Sequence, residues 1–349
     1  MPLFDGVAGL GISGIAEGTG TLALVMPRLR TEPLERTALL DAIPTVRIPG
    51  RPIGIKATAS AYVALTKPRI IELLLVSTIP TMFVAERGVP GLWLMVATLV
   101  GGTLSAGGAN AINMVVDVDI DTIMKRTQGR PLVTGAMTPK AALTFAITIE
   151  AIAFAFLWAT VNLLSAVLAV AACLFYVFVY TLWLKRTSRQ NIVIGGAAGA
   201  APVLIGWSAV TNSLSWAPIV LFAVIFFWTP PHFWALAVKY RDDYSAANVP
   251  MLPSVVGFEQ TVRAMLRYTV VMVAATVAFY WVGEMGLPYL VAAVVLGALF
   301  LAQVVGLQRI GRAGTDPNKA SMRLFGWSIT YLVLLFGAMA IDQLVVHGF

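Results

Sequence analysis

Charge is what this sequence has least of: Asp, Glu, Lys and Arg together make up 12% of its 349 residues, against about a quarter in an ordinary soluble domain. With 58% hydrophobic residues, that scarcity excludes a water-soluble globule, which could not hide so much apolar surface. A single cysteine, Cys173, excludes an intrachain disulfide and leaves the redox compartment open. Two histidines, His232 and His347, exclude a His-rich metal cage. The net charge of +7 does not indicate nucleic acid, because the basic residues lie between apolar runs rather than in one soluble basic segment.

What is there is a series of apolar stretches, near 70–86, 92–116, 140–161, 163–184, 192–211, 216–238, 267–283, 287–307 and 324–346. Each approaches the ~20 residues needed to cross a hydrocarbon core of ~30 Å. Backbone groups must be satisfied internally in lipid, and continuous apolarity rather than alternation selects helices over a barrel. The expectation is an all-α polytopic membrane protein with nine transmembrane helices. Basic loops then alternate. Lys67 and Arg69 precede the first helix, Lys125, Arg126, Arg130 and Lys140 follow the second, and Lys185, Arg186 and Arg189 follow the fourth. Lys239, Arg241, Arg263 and Arg267 follow the sixth, and Arg309, Arg312, Lys319 and Arg323 the eighth, whereas the opposite side carries only Arg87. By the positive-inside rule the N-terminus is cytoplasmic and the C-terminus outside. Residues 1–55 form a Gly-rich, then Pro- and Arg-containing extension, expected to be poorly ordered and cytoplasmic; the stretch 6–26 lacks the basic flank of a signal peptide.

The most informative polar segment is Asn113-x-x-x-Asp117-x-x-x-Asp121, followed by Lys125, Arg126 and Arg130. Spacing of four stacks the three side chains on one helical face and turns Asp119 to another. Like charges at i, i+4 cost an isolated helix about 0.2–0.5 kcal/mol, so something must neutralise them. One answer is salt bridging by Lys125, Arg126 and Arg130. The other is a shared divalent cation: carboxylates with an amide are a hard oxygen set suited to Mg²⁺, which keeps positions for phosphate oxygens that nearby bases could grip. A second constellation follows the sixth run: His232, then Lys239-Tyr240-Arg241-Asp242-Asp243-Tyr244, then Val249-Pro250-Met251-Leu252-Pro253. Alone it reads as a positive-inside loop; with the first cluster it brackets one site.

These segments resemble the UbiA-type intramembrane prenyltransferases. Asn113-x-x-x-Asp117-x-x-x-Asp121 looks like the family's first aspartate-rich motif. Leu65-Thr66-Lys67-Pro68-Arg69, Met124-Lys125-Arg126-Thr127, Gly129-Arg130-Pro131-Leu132 and Trp228-Thr229-Pro230-Pro231-His232-Phe233-Trp234 look like its haem-modifying branch. The second acidic motif departs from the wider family, with Tyr240 and Tyr244 at the expected acidic positions and Asp242-Asp243 remaining.

The resemblance implies nine helices around a central cavity open to the cytoplasmic side, a plasma or inner membrane location, and Mg²⁺ as cofactor. It implies farnesyl diphosphate and haem B as substrates, with haem A synthase or cytochrome oxidase assembly factors as partners. Asp117 and Asp121, oriented by Asn113, are expected to hold Mg²⁺ on the diphosphate with Asp243 completing the site, and Lys125 and Arg126 to assist as catalytic cations. Lys67, Arg69, Arg130, Lys185, Arg186, Lys239, Arg241 and Asp242 are expected at the substrates. His232 is either an iron ligand or proton carrier, or a hydrogen-bonded interfacial histidine. Two other readings stand beside this one: a quinone-precursor acceptor, which the motifs do not distinguish from a porphyrin, and a cation-coupled transporter, against which the acids lie at helix ends rather than at the midplane.

Overall fold

The computed structural model describes residues 54–348, without the side chains of residues 69–75. The expectations for the N-terminal extension up to residue 53 and for the Arg69 side chain therefore lie outside the described residues. Every regular element among the described residues is helical. In chain order they are α1 (Ile55–Thr66), α2 (Pro68–Glu86), α3 (Leu92–Val116), short α4 (Val118–Ile123), α5 (Pro139–Thr160) and α6 (Leu163–Thr187). Then follow α7 (Asn191–Thr211), α8 (Trp216–Lys239), short α9 (Arg241–Ala246), α10 (Leu252–Val282), α11 (Leu287–Arg312) and α12 (Asn318–His347).

The long helices α2, α3, α5–α8 and α10–α12 match the apolar runs one to one. Among the described residues eight of them are long and apolar enough to cross a membrane, and α2 is the ninth counterpart. The chain is thus a multi-pass membrane protein. Boundaries differ most at α10, which begins at Leu252, not near 267, and by five or six residues at the end of α11 and the start of α12. The first turns of α10 are amphipathic, with Arg263 paired to Glu259 at 2.5 Å, so no apolar run announces them. Gly257, at φ 77°, bends the chain within this helix, a conformation that costs glycine little and other residues much more.

Neighbouring helices close a circuit: α2 packs on α3, α3 on α5, α5 on α6, α6 on α7, α7 on α8, α8 on α10, α10 on α11, α11 on α12, and α12 back on α2. Close approach depends on small residues, as expected where lipid supplies no hydrophobic drive between helices. At Gly108 of α3 a Cβ would stand 2.8 Å from Glu150 Oε2 of α5, whose Oε1 accepts a hydrogen bond from Ser105 at 2.9 Å. Polar ends are closed locally: Asn162 caps α6 through Ser165 N at 2.8 Å, and Asp342 of α12 caps α11 by accepting from Gly286 N and Tyr289 N at 2.7 and 3.0 Å.

The two ends of the bundle differ. Trp93, Trp158, Trp216 and Trp281 are all exposed near one end, an aromatic girdle of the kind found at membrane interfaces. The other end gathers the C-termini of α3, α6 and α8 and the N-termini of α2, α5, α7 and α10, and with them the charged segments.

Candidate active site

Helix α3 stops at Val116, and Asp117, at φ −92° and ψ 9°, links it to α4. Helical hydrogen bonds continue through this joint, from Asp117 N to Asn113 O at 3.0 Å and from Asp121 N to Asp117 O at 2.8 Å. The four-residue spacing therefore keeps its meaning. Asn113, Asp117 and Asp121 are all buried, while Asp119 points away with its side chain 62% exposed. Both key carboxylates turn into protein rather than into lipid.

Each is met by cations. Asn113 Nδ2 donates to Asp117 Oδ2 at 2.7 Å and to Thr181 Oγ1 at 3.1 Å, and Lys67 Nζ donates to Asn113 Oδ1 at 2.8 Å. Lys185 of α6 pairs with Asp117 Oδ2. Arg186 binds Asp119 with both terminal nitrogens, at 2.6 and 2.7 Å, donates to Val116 O, and lies 3.7 Å from Asp117 Oδ1. Arg130 pairs with Asp121 Oδ2 at 2.5 Å. It is brought back by a tight turn in which Arg130 N donates to Thr127 O and the Thr127 hydroxyl to Asp121 O.

Salt bridging of the aspartates is therefore real, but of Lys125, Arg126 and Arg130 only Arg130 takes part. Lys185 and Arg186 do the rest. Lys125 is exposed. Arg126 instead donates to Tyr244 OH at 3.2 Å and lies over the rings of Tyr240 and Tyr244 at 5.3 and 5.7 Å.

Lys67 occupies a strained joint. It sits between α1 and α2 at φ 53°, a left-handed conformation unusual for a residue with a Cβ. Asn110 Nδ2 holds the preceding Thr66 carbonyl at 3.1 Å, and Pro68 opens α2. Such strain persists only where the surroundings over-determine it. Burial, reinforced by the positive charges of Arg130 and Lys185 and opposed by Asp117 and Asp121, lowers the Lys67 pKa to about 7. Hydrogen bonds and ion pairs run from Lys67 through Asn113 and Asp117 to Lys185, with the Arg130–Asp121 pair one helical turn on. The Arg186 hydrogen bonds hold the Asp119 carboxyl below the usual carboxylate range.

Sequence reasoning missed the local device that delivers Thr181 and Lys185. Residues Phe175–Leu184 of α6 form a π-helix, and the Thr181 hydroxyl donates to Tyr176 O, five residues back, at 2.9 Å. Such π segments are frequent at functional sites. The available signal was a lone threonine in an apolar run, four residues before a lysine. Tyr176 and Tyr180 stack at 5.3 Å; Tyr180 packs against the buried group that includes Tyr244 and Ile120, and Tyr176 against Ala109 of α3 and Cys173. Through Tyr180 the stack reaches both α4, which carries Asp121, and Tyr244 of the second cluster.

The second cluster is looser. Arg241 pairs with its neighbour Asp242 at 3.4 Å, with the Asp242 side chain 93% exposed, and Lys239 lies over the Tyr240 ring at 5.5 Å. Asp243 is half-buried and has no ion pair among the described residues. His232 is buried: its Nδ1 shares a 2.6 Å hydrogen bond with Ser328 Oγ of α12, and its ring stacks on Trp228 and Phe325.

Among the described residues no three His, Cys, Asp or Glu side chains converge as a ready-made metal cage. Asp117 Oδ1 is nevertheless buried without a hydrogen-bond partner. Arg186 lies 3.7 Å away and offsets its charge without hydrogen-bonding it, and a buried carboxylate oxygen left in that way fits a hard cation whose remaining ligands come from a bound phosphate.

The chain matches the UbiA prenyltransferase family over residues 74–339. It is 55% identical over 291 residues to a protoheme IX farnesyltransferase of Frankia alni, covering 83% of this chain and all of that one. It is 52% identical over 293 residues to a protoheme IX farnesyltransferase of Streptomyces coelicolor, covering 84% of this chain and 92% of that one. Among solved structures it shares the fold of a digeranylgeranylglyceryl phosphate synthase, at TM-score 0.68 and 15% identity over 83% of this chain and 99% of that one. It also shares that of a UbiA homolog from Archaeoglobus fulgidus bound to DMAPP and Mg²⁺, at TM-score 0.55 and 17% identity over 80% and 99%. The long helices, the paired aspartates and the sequence relatives agree: this chain belongs to the UbiA prenyltransferase family.

Proposed function

We propose that this protein transfers the farnesyl group of farnesyl diphosphate to a vinyl group of protohaem IX, giving haem O and inorganic diphosphate. The observation that carries the chemistry is the pair of buried carboxylates, Asp117 and Asp121, ringed by Lys67, Arg130, Lys185 and Arg186, with one Asp117 oxygen left without a hydrogen bond. The acceptor is supported by the sequence relatives, not by the motif.

An allylic diphosphate ionises when its leaving group is stabilised more in the transition state than in the ground state. Asp117 and Asp121 are the residues that would hold Mg²⁺, with Asn113 orienting Asp117; when bound, the ion supplies Lewis-acid neutralisation of the departing diphosphate. Lys67, Arg130, Lys185 and Arg186 add fixed positive charge, so that the C1–O bond breaks with its electron pair leaving on the diphosphate. Lys185 and Arg130 would exchange carboxylate oxygens for phosphate oxygens as the substrate arrives, which keeps the buried charges paired throughout. Arg126 would align the second cluster, from which Asp243, Lys239 and Arg241 reach the substrate. Tyr176 and Tyr180 would shield the allylic cation from water. The vinyl terminus attacks C1, and water adds to the porphyrin-side cation and loses a proton. His232, fixed through Nδ1, has Nε2 as its remaining donor atom for the acceptor.

On this reading the charged end faces the cytoplasm of a plasma or inner membrane, as the basic loops support, and haem A synthase or oxidase assembly factors would receive the product. The test is incubation of purified protein in detergent with haem B, farnesyl diphosphate and Mg²⁺, followed by mass spectrometry. A haem mass raised by one farnesyl group and one hydroxyl is expected. An unchanged haem, alongside prenylation of a hydroxybenzoate, would overturn the acceptor assignment.

A further inference from the structure

A cavity of about 560 Å³, within the ~300–1,000 Å³ typical of small-molecule sites, opens between α8, α10 and the α6–α7 loop, apart from the aspartate cluster. Its floor is aromatic. Phe227 and Trp234 share a face of α8, and Tyr268 of α10 meets them at ring-centre distances of 6.2 and 5.5 Å. Trp234 is buried with its Nε1 lacking a hydrogen-bond partner.

The mouth is cationic. Arg189 and Arg267 are exposed there, and neither forms an ion pair among the described residues. Gln190 is the N-cap of the 21-residue α7, so the positive end of that helix dipole adds to the guanidinium charges. Beyond Arg267 the wall runs past Tyr268 to Val271, which is exposed on the outer side of α10. Connectivity puts the mouth at the charged end of the bundle, beside the loop after α6 and the start of α10.

An anionic head above an apolar stem fits this arrangement, and a free anion would gain nothing from the aromatic floor. Basic pockets between transmembrane helices are characteristic recognition sites for acidic lipid headgroups. We propose that the crevice binds an anionic glycerophospholipid, with its phosphate held by Arg189 and Arg267 near Ala264 and an acyl chain lying along Phe227, Tyr268 and Val271. The site is separate from the farnesyl transfer proposed above and stands or falls without it.

The test is native mass spectrometry of the full-length protein titrated with dioleoyl phosphatidylglycerol and, separately, dioleoyl phosphatidylcholine. Each arginine near a bound anionic headgroup gives about a fivefold preference, so the first phosphatidylglycerol should bind roughly 30-fold tighter than phosphatidylcholine. The Arg189→Gln/Arg267→Gln variant should lose that preference, and Arg309→Gln/Arg312→Gln, which alters exposed bases at the same end of α11, should keep it. Ala264→Trp fills the crevice without touching a charge and should also lose the tight lipid. Unchanged preference in either crevice variant overturns the proposal. So does competition by inorganic phosphate at concentrations comparable to the lipid, which would mark a plain anion site. Displacement of the lipid by haem B, with haem binding lost in the same arginine variant, would reassign the crevice to the acceptor and equally overturn it.

Discussion

The two acidic clusters sit at the same end of one bundle, yet they differ in what surrounds their carboxylates. Asp117 and Asp121 are buried at 0% and 2% exposure and surrounded by charges from the α1–α2 joint, α6 and the loop after α4, whereas Asp242 is paired, among the described residues, with its own neighbour and 93% of its side chain meets solvent. A carboxylate in water is already well solvated and its field is screened, so it gains little by binding a metal-bound diphosphate. One held in protein among excess positive charge is preorganised for it. The contrast supports the proposed division, with the chemistry at the first cluster and substrate alignment at the second.

The sharpest way to break that assignment is to substitute both clusters isosterically. Asp117→Asn should lower the rate of haem O formation by at least ~10²–10³-fold, the usual cost of removing a principal electrostatic stabiliser. Asp243→Asn should cost clearly less. Asn at position 117 also leaves Lys185 without its counter-charge, so folding must be checked by size exclusion and thermal unfolding alongside the rate. Equal losses at 117 and 243 would erase the distinction. EDTA should stop turnover by wild-type protein, and added Mg²⁺ should restore it; turnover indifferent to chelation would mean that salt bridges alone account for the first cluster.

Arg126 is the structural link between the clusters, since it leaves the segment after the first motif and rests on Tyr240 and Tyr244 of the second. At an exposed residue such as Arg126 a hydrogen bond with cation–π contacts contributes about 1–1.5 kcal/mol. Arg126→Gln should therefore reduce kcat/KM about tenfold, with little change in Mg²⁺ dependence. A shifted Mg²⁺ requirement would show that Arg126 acts at the metal-binding end instead.

How much of this was legible depended on distance along the chain. The span 92–116 was readable to its ends because continuous apolarity is the signal that lipid imposes, and Asn113, Asp117 and Asp121 were readable because helical periodicity is local. The partners of those aspartates were not. Lys185 and Arg186 lie 68 and 67 residues from Asp117 and Asp119, and only the packing of α6 on α3 decides that they, rather than the nearby Lys125 and Arg126, form the pairs. The π-helix at Phe175–Leu184 and the left-handed Lys67 were equally hidden, since neither is favoured by its own residues and both are held by contacts made after folding.

Lys67 offers a subtler comparison, between the free and the diphosphate-bound first cluster. With its pKa at about 7 in the free protein, the amine is charged below that pH and largely neutral above it. A bound diphosphate adds negative charge, raises the Lys67 pKa and so requires proton uptake when binding takes place above pH 7. Affinity should then fall by up to about tenfold per pH unit above 7 and be flat below it. Calorimetry in buffers of different ionisation enthalpy would register the proton directly. Lys67→Met should bind more weakly and lose the uptake. The sign for stability is opposite to that of a salt-bridged lysine: the unfolded amine keeps its proton up to 10.5, so substrate-free protein should gain stability as pH rises from about 7 toward 10.

The smallest effects should come from the carboxylates that face water, and here Asp119 and Asp242 can be set against each other. Asp119 is 62% exposed but bound by both terminal nitrogens of Arg186, whereas Asp242 has a single long contact to Arg241. Exposed pairs typically contribute about 0–1 kcal/mol. Asp242→Asn should thus change neither stability nor rate by more than about twofold. Asp119→Asn should do slightly more, because it releases Arg186, which also lies 3.7 Å from Asp117 Oδ1. Freed from Asp119, that guanidinium can close on this oxygen and compete with the cation there. The expected signature is a raised Mg²⁺ requirement at unchanged maximal rate, read from activity against Mg²⁺ concentration. An Asp119→Asn profile that overlays Asp242→Asn would show that the orientation of Arg186 is set by Val116 O alone and that Asp119 only decorates the surface.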